Sequence, residues 1–180
     1  MVMAVLDGVI HQQQTGEGQY IDLSMTDAVF SMHALSGAEW LSGGEEPEAE
    51  SGMLNGRTLY DYYETRDGRW ISVGSLEPVF LKRLCLEMDL QEFEGIPLDD
   101  VKSQKRLKSK LRKAFITRSF QEWIEIFQKI DACVEPVLKP SEAASHLQLR
   151  EREMIGKVLN ETGDSIRQIA SPFRFSKTPV

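Results

Sequence analysis

Glu77 is the strongest candidate for a chemical role in this sequence. The pattern predicts that it stands where a strand ends, near Gly74, and where a helix begins, at Pro78. Strand ends in α/β-type folds commonly carry functional side chains, and a helix N-terminus favours an ionised carboxylate. Such a carboxylate acts as a base or orients a charged partner. The same position also suits an ordinary helix cap, so a structural role stays open.

A basic run between Lys102 and Lys113 is a second cluster that could attract phosphate groups. Leu107 and Leu111 lie four residues apart within it and give it an apolar stripe, which favours a solvated amphipathic helix over a phosphate site. No aromatic residues are interleaved with the charges, so single-stranded nucleic acid is not indicated as a ligand.

The histidines and cysteines form no recognisable metal or nucleophile pattern. His11, His33 and His146 lack metal-ligand spacing and are predicted to be surface or structurally satisfied residues. Cys85 and Cys133 form no CxxC motif, which excludes a four-cysteine zinc site and a disulfide framework. Cys133 lies within a predicted apolar strand and is predicted to be a core thiol. No metal site is expected, and no residue is assigned to cofactor binding.

The hydrophobic pattern predicts the elements that precede Glu77. The chain opens directly onto an amphipathic helix, a turn spans 15–18, and the alternating stretch Gln19 to Leu23 predicts a short strand. Ser24, with Asp27 three residues later, predicts the capped start of another helix. The apolar stripe of that helix comprises Ala28, Val29, Met32, Leu35 and Trp40.

An acidic, glycine-rich linker is predicted from 42 to 56, as a solvated loop rather than a docking patch. A hairpin with the turn Arg66-Asp67-Gly68 follows it, and the pattern continues with helices, one more strand and a second hairpin. The predicted bounds are strands 59–65 and 70–74, helices 79–88 and 99–115, a helix from Ser119 with the capping-box residue Glu122, strand 132–138, a short helix from Pro140, and a hairpin over 154–170.

The composition limits the function classes. With 180 residues, 41% hydrophobic and 27% charged, the chain can bury a core and is not a disordered protein. A net charge of −7 disfavours nucleic acid as a partner. No apolar run approaches the ~20 residues of a membrane-spanning helix, so no membrane partner is expected. Two cysteines without a disulfide framework make a reducing cytoplasm the simplest compartment.

Four segments carry a family resemblance. Thr15-Gly-Glu-Gly-Gln-Tyr-Ile-Asp-Leu-Ser-Met-Thr-Asp-Ala28 resembles a characteristic segment of the class III CoA-transferase family, which includes formyl-CoA transferase, the carnitine-CoA enzymes and α-methylacyl-CoA racemase. Three further segments resemble the racemase branch: Met53-Leu-Asn-Gly56 with the hairpin that follows it, Gly74-Ser-Leu-Glu-Pro-Val-Phe80, and Asp131-Ala-Cys-Val-Glu-Pro-Val137. The glycine-rich loop typical of formyl-CoA transferase is not seen after the hairpin.

The resemblance implies an α/β fold with a large Rossmann-like domain and a small α+β domain. In this family two subunits interlock, and each active site lies between the large domain of one and the small domain of the other. Residues 1–41 would match the end of the large domain's N-terminal half, 42–56 the linker, and 57–180 the small α+β domain. The chain is therefore expected to be the C-terminal portion of a longer homodimeric enzyme.

The resemblance also implies an acyl-CoA enzyme, most like an α-methylacyl-CoA racemase that exchanges the α-proton of a 2-methylacyl-CoA thioester. The family's catalytic His and Asp match no residue here, and only Glu77 carries over, onto an active-site glutamate that supports the His. Coenzyme A is expected as part of the substrate, with no tightly bound cofactor. CoA transfer between carboxylic acids stays open, as does an inactive fragment that serves only as an interaction domain.

Overall fold

The chain combines α-helices with two small antiparallel sheets, in agreement with the predicted mixed α/β class. The computed structural model describes residues 1–54 and 56–178, apart from the side chain of Leu35. It divides into two compact units, Met1–Gly52 and Met53–Val180, here called unit 1 and unit 2. No helix in the described ranges is long and apolar enough to cross a membrane.

Unit 1 is helical. Its first helix, α1 (Val2–Thr15), confirms the predicted opening helix and starts without a side-chain cap at Met1. It ends because Gly16 adopts the left-handed conformation (φ 78°), which lets its N–H bond to the carbonyl of Gln12. The chain therefore bends at Gly16, within the predicted turn.

The second predicted helix of unit 1 is interrupted. Ser24 caps α2 (Met25–Ser31) as predicted, with its Oγ accepting from the Asp27 N–H at 3.4 Å. The prediction of one helix through Trp40 is wrong, because tight backbone bonds (Met32 N–H to Val29 and His33 N–H to Phe30) close α2. The chain resumes as α3 (Ala34–Leu41), and the predicted stripe position Leu35 has a side chain outside the described set.

The predicted strand from Gln19 to Leu23 is wrong. The segment runs without helix or strand, and no strand pairs with it in the described part of unit 1. A β-strand requires the backbone N–H and C=O groups of a neighbour, so the alternating pattern alone does not form one.

Unit 2 is built on the predicted hairpin. Its strands β1 (Asp61–Glu64) and β2 (Trp70–Val73) pair antiparallel, with Tyr63 opposite Ile71, and Gly68 supplies the positive φ of the turn. The third strand, β3 (Val134–Pro136), pairs with β2, which gives the sheet order β1-β2-β3. All three predictions are confirmed, with shorter strands than the pattern suggested.

Three helices share the core of this sheet: α4 (Pro78–Glu87), α5 (Val101–Phe115) and α6 (Phe120–Phe127). The capping box of α6 is present as predicted, because Ser119 accepts from the Glu122 N–H and the Glu122 carboxylate accepts from the Ser119 N–H. The core lies between these helices and the sheet. Its largest fully buried apolar side chains are Tyr63, Phe115, Leu59, Ile71, Leu84, Leu107 and Leu111.

The end of unit 2 follows the predicted order. Pro140 opens α7 (Pro140–Ser145), and α8 (Leu147–Glu151) comes directly after it. The predicted second hairpin is confirmed as β4 (Ile155–Leu159) paired with β5 (Ser165–Ile169). Gly163 supplies the positive φ at its tip, and the Asn160 side chain accepts from the Thr162 and Asp164 N–H groups.

Candidate functional site

Glu77 lies at the position that the sequence predicts for it, immediately before α4. Its backbone is extended (φ −72°, ψ 141°) and Pro78 is the first helical residue. The side chain is exposed and makes no cap hydrogen bond to the helix. The Glu77 side chain therefore does not cap the helix, although the local sequence left that role open. Its carboxylate is available to another group.

The backbone that leads to Glu77 is held by the chain just before β3. Gly74 donates its N–H to the Cys133 carbonyl at 2.8 Å, and the Ser75 hydroxyl donates to the Ala132 carbonyl. Ser75 is fully buried, so this hydrogen bond is shielded from water. These bonds fix the strand end from which Glu77 projects.

Two further contacts stiffen this region. Arg83, one helical turn into α4, donates to both the carbonyl and the carboxylate of Asp131, each at 2.8 Å. Gly74 packs closely against the Tyr60 ring, since a Cβ there would lie 3.3 Å from the ring, which is tighter than an ordinary van der Waals contact. The segments 74–77 and 131–133 are therefore held against each other.

A cleft of about 510 Å³ opens beside Gly74 and residues 131–133, within unit 2, and Glu77 is not among its lining residues. It brings together the parts of the chain that carry the resemblance to the racemase branch: the stretch before the hairpin, the hairpin itself, Gly74 and the segment before β3. Asn55 of the first stretch lies outside the described residues. The lining residues are Leu54, Gly56, Tyr60, Asp61, Tyr62, Ser72, Val73, Gly74, Ile130, Asp131, Ala132, Cys133, Val134 and Glu135.

Asp61 is the carboxylate of the cleft with the strongest cationic partners. Lys108 approaches it at 2.7 Å and Arg112 at 3.1 Å, both from α5. Partial burial would raise the pKa of Asp61, but the hydrogen bonds from Lys108, the Tyr62 N–H and Arg112 outweigh that effect and lower the pKa below its ordinary value. Asp61 is therefore ionised and committed to α5, which disfavours a role as a free base.

Cys133 corrects a prediction from the sequence. It is an exposed residue that lines the cleft, not a core thiol. Its left-handed backbone (φ 51°), immediately before β3, departs from the strand pattern on which the prediction depended. Burial and the nearby carboxylates of Glu77, Asp131 and Glu135 raise the pKa of the thiol, so the nucleophilic thiolate is disfavoured.

The other candidates do not join this site. His11, His33 and His146 are exposed, as predicted, and His146 accepts from the Gln148 N–H. Across residues 1–54 and 56–178 no group of three His, Cys, Asp or Glu side chains could hold a metal ion.

The basic run forms the amphipathic helix α5, as predicted, and Leu107 and Leu111 are fully buried. Sequence reasoning missed that Gln104 and Lys108 are buried with them. The signal was present, because positions 104, 107, 108 and 111 recur on one helical face.

Comparison with known proteins places these features in a family. The model of CoA-transferase family III matches residues 1–180. The chain is 31% identical to human α-methylacyl-CoA racemase over 84% of its own length and 39% of the relative, and 26% identical to acetyl-CoA:oxalate CoA-transferase of Acetobacter aceti over 87% and 41%. It thus spans about two fifths of the length of these relatives.

The solved structures agree on the fold. A CAIB/BAIF family protein from Brucella suis superposes with a TM-score of 0.75 at 18% identity, over 99% of this chain and 47% of that one. At that identity the likeness concerns the fold alone. Together with the family match over the whole sequence, it establishes that the chain belongs to CoA-transferase family III.

Proposed function

We propose that this chain is part of an α-methylacyl-CoA racemase-like enzyme and that Glu77 is its contribution to the active site. The substrate is a 2-methylacyl-CoA thioester, with coenzyme A as a component of the substrate and no tightly bound cofactor. The resemblance assigns the acid–base His and Asp to family segments that these 180 residues do not match. Glu77 acts on that His, as a carboxylate that orients the imidazole and stabilises its protonated form.

The chemistry is a proton exchange at one carbon. The thioester carbonyl acidifies the α-hydrogen, a base removes that proton, and the electron pair of the C–H bond moves into an enolate. A conjugate acid then returns a proton to either face of the α-carbon. Each positioned acid or base typically contributes ~10²–10⁴-fold to such a rate. Binding of the coenzyme A portion orients the reacting carbon from a distance.

The observation that carries the proposal is the state of Glu77. It is an exposed carboxylate without a cap bond, on backbone that the buried Ser75 hydrogen bond and the Gly74 N–H bond to the Cys133 carbonyl hold in place. Its backbone is held in place while its carboxylate is free to accept a hydrogen bond from a second group. The racemase relatives, at 31% and 28% identity, favour proton exchange as the reaction.

CoA transfer between carboxylic acids is the second candidate. It is supported by relatives named as CoA-transferases, among them acetyl-CoA:oxalate CoA-transferase and succinyl-CoA:mesaconate CoA-transferase, at 26% and 22% identity. In that reaction an Asp outside the matched segments attacks the thioester, and coenzyme A leaves and later returns to a different carboxylate. The homodimer and the cytoplasmic location expected from the sequence belong to the proposal as well.

The test uses the longest natural polypeptide that contains these 180 residues, assayed beside the 180-residue chain alone. Each is incubated in deuterated water with a 2-methylacyl-CoA and a carboxylic acid acceptor. Deuterium at the α-carbon, with no new acyl-CoA, is the expected result for the complete protein. The 180-residue chain is expected to give exchange no faster than buffer. Formation of a new acyl-CoA without deuterium would favour the CoA-transferase reaction over the racemase reaction. If neither product forms, both proposed reactions are rejected.

A further inference from the structure

Lys108 is a buried cation whose two partners lie in the cleft wall. Its side chain is only 10% exposed, and Nζ lies 2.7 Å from Asp61 Oδ2 and 3.0 Å from the Gly56 carbonyl oxygen. An ammonium group removed from water needs such partners, because burial without them is costly. Gly56 and Asp61 both line the cleft, whereas Lys108 does not.

The partners of Lys108 lie at the two ends of one stretch, residues 56–60 and the first residue of β1, which we call the lead segment. In its middle, Gln104 on α5 accepts from the Leu59 N–H at 3.1 Å, while its amide donates to the Pro97 carbonyl at 3.2 Å. Two buried polar side chains, four residues apart on one helix, therefore hold the lead segment. Of the two, only Lys108 contacts residues that line the cleft.

Arg112 offers an internal comparison. It also donates to Asp61 Oδ2, at 3.1 Å, but its side chain is 61% exposed. An exposed ion pair contributes little because water and salt screen it. Lys108 is therefore the main ion-pair partner that keeps Asp61 in place.

We propose that Lys108 is a positioning residue for the reaction, because it fixes both ends of the lead segment to α5 and thereby sets the width of the cleft that Gly74, three residues before Glu77, also lines. This inference rests on the proposed function of that site. Lys108 touches no reacting atom and acts through Gly56 and Asp61. A shift of the cleft wall weakens binding of the acyl-CoA without touching the acid–base groups, so its consequence is measurable as a rise in KM.

The first test is hydrogen exchange on the 180-residue chain. Lys108→Met should speed exchange of the amides at 58–62 by at least ~10-fold, while those of α6 change by less than about twofold. Asp61→Asn should act on the same amides. The double variant should exchange no faster than the faster single variant, because both changes remove the same ion pair between Lys108 and Asp61. Unchanged exchange at 58–62 in Lys108→Met, or effects that multiply in the double variant, would overturn the proposal.

Two controls keep this test decisive. Arg112→Gln should leave exchange within about twofold of the parent chain, because the pair that it removes is exposed. If Lys108→Met does not fold, Lys108→Gln replaces it, since glutamine removes the charge but keeps a polar N–H donor on a side chain that is one bond shorter. Equal acceleration in Arg112→Gln and the Lys108 variant would also count against a special role for Lys108.

The second test is kinetic and uses the complete protein. Lys108→Met should raise KM for the 2-methylacyl-CoA by at least ~10-fold with kcat within about threefold, because the acid–base groups lie elsewhere. A merely structural role would lower kcat through lost active enzyme and leave KM unchanged, which would overturn the positioning role. If the unsubstituted protein shows no exchange at all, the proposed function fails, and Lys108 is then judged by hydrogen exchange alone.

Discussion

Two helices of similar length show how differently the two units are built. In α1 of unit 1, 14 residues carry a clear apolar stripe, yet none of them is buried. In α5 of unit 2, 15 residues are far more charged, yet five are buried. The difference lies in what each helix packs against, and not in its own pattern. An apolar stripe predicts a helix, but it stabilises one only when another surface covers it.

The contrast extends to the whole of each unit. No described residue of unit 1 is buried, whereas unit 2 has a continuous core of apolar side chains around Phe115. Phe115 contacts the Tyr63 ring at a centroid distance of 5.2 Å and the Trp123 ring at 4.9 Å. Unit 2 therefore contains the packing that a stable fold requires, and it also carries Glu77 and the cleft.

The largest expected effect comes from separating the units. A chain of residues 53–180 should keep its cooperative unfolding transition in urea, because it retains the entire core. A chain of residues 1–52 should show little helix by far-UV circular dichroism, since an isolated helix of α1's length is marginal in water. A cooperative unfolding transition of a monomeric chain of residues 1–52 would show that unit 1 folds without unit 2, contrary to this expectation.

A matched pair of substitutions gives the next largest difference. Phe115→Ala should lower the free energy of unfolding of the 180-residue chain by about 3–5 kcal/mol, because it leaves a cavity among three aromatic rings. Ile10→Ala, in the half-exposed stripe of α1, should change it by less than about 0.5 kcal/mol. Both values are measured by urea denaturation, and a cost for Ile10→Ala near that of Phe115→Ala would show that unit 1 is packed after all.

The N-terminal caps of α6 and α2 are expected to differ in the same direction, with a smaller effect on the free energy of unfolding. Ser119→Ala removes the side-chain half of the capping box of α6, leaves the bond from the backbone N–H of residue 119 to Glu122, and should cost about 1 kcal/mol in urea denaturation. Ser24→Ala removes only one 3.4 Å bond, in a helix without buried residues, and should leave the transition unchanged. Equal losses would mean that α2 unfolds together with the core of unit 2.

The smallest effect is a pH dependence in unit 2. The pKa of Asp61 is lowered from its ordinary value of 3.8, so its ionised form stabilises the fold at pH above that value. This contribution is lost as the pH falls below 3.8, through the lowered pKa of the folded state. The difference in unfolding midpoint between the parent chain and Asp61→Asn should therefore be constant near neutral pH and shrink in strong acid. A constant difference down to pH 2 would show that the charge of Asp61 is not involved.

The same physical distinction explains what the sequence could predict. The hairpins, the caps at Ser24 and Ser119, and the start of α4 depend on local chemistry, and each was predicted close to its observed place. The strand at 19–23 needed a partner that no local pattern supplies. The exposure of Cys133 depended on one left-handed residue, which an apolar pattern does not reveal.

The candidate site divides in the same way. The position of Glu77 at the start of a helix was readable from Pro78, and the resemblance suggested its role. Its lack of a cap bond and its support by the buried Ser75 hydrogen bond required the structure. The burial of Lys108 was hidden by the charge of the run around it, although its spacing from Leu111 places it near the buried face.

The most direct test of the account is the turnover of Glu77→Gln against that of Glu87→Gln in the complete protein. Both residues are exposed glutamates at the two ends of α4, so both changes remove one negative charge from the same helix. Glu77→Gln should lower the rate of α-deuterium incorporation by at least ~10-fold with an unfolding temperature close to that of the parent, and Glu87→Gln should alter neither. Full turnover in Glu77→Gln, together with a markedly lower unfolding temperature, would contradict the account and make the carboxylate a structural group.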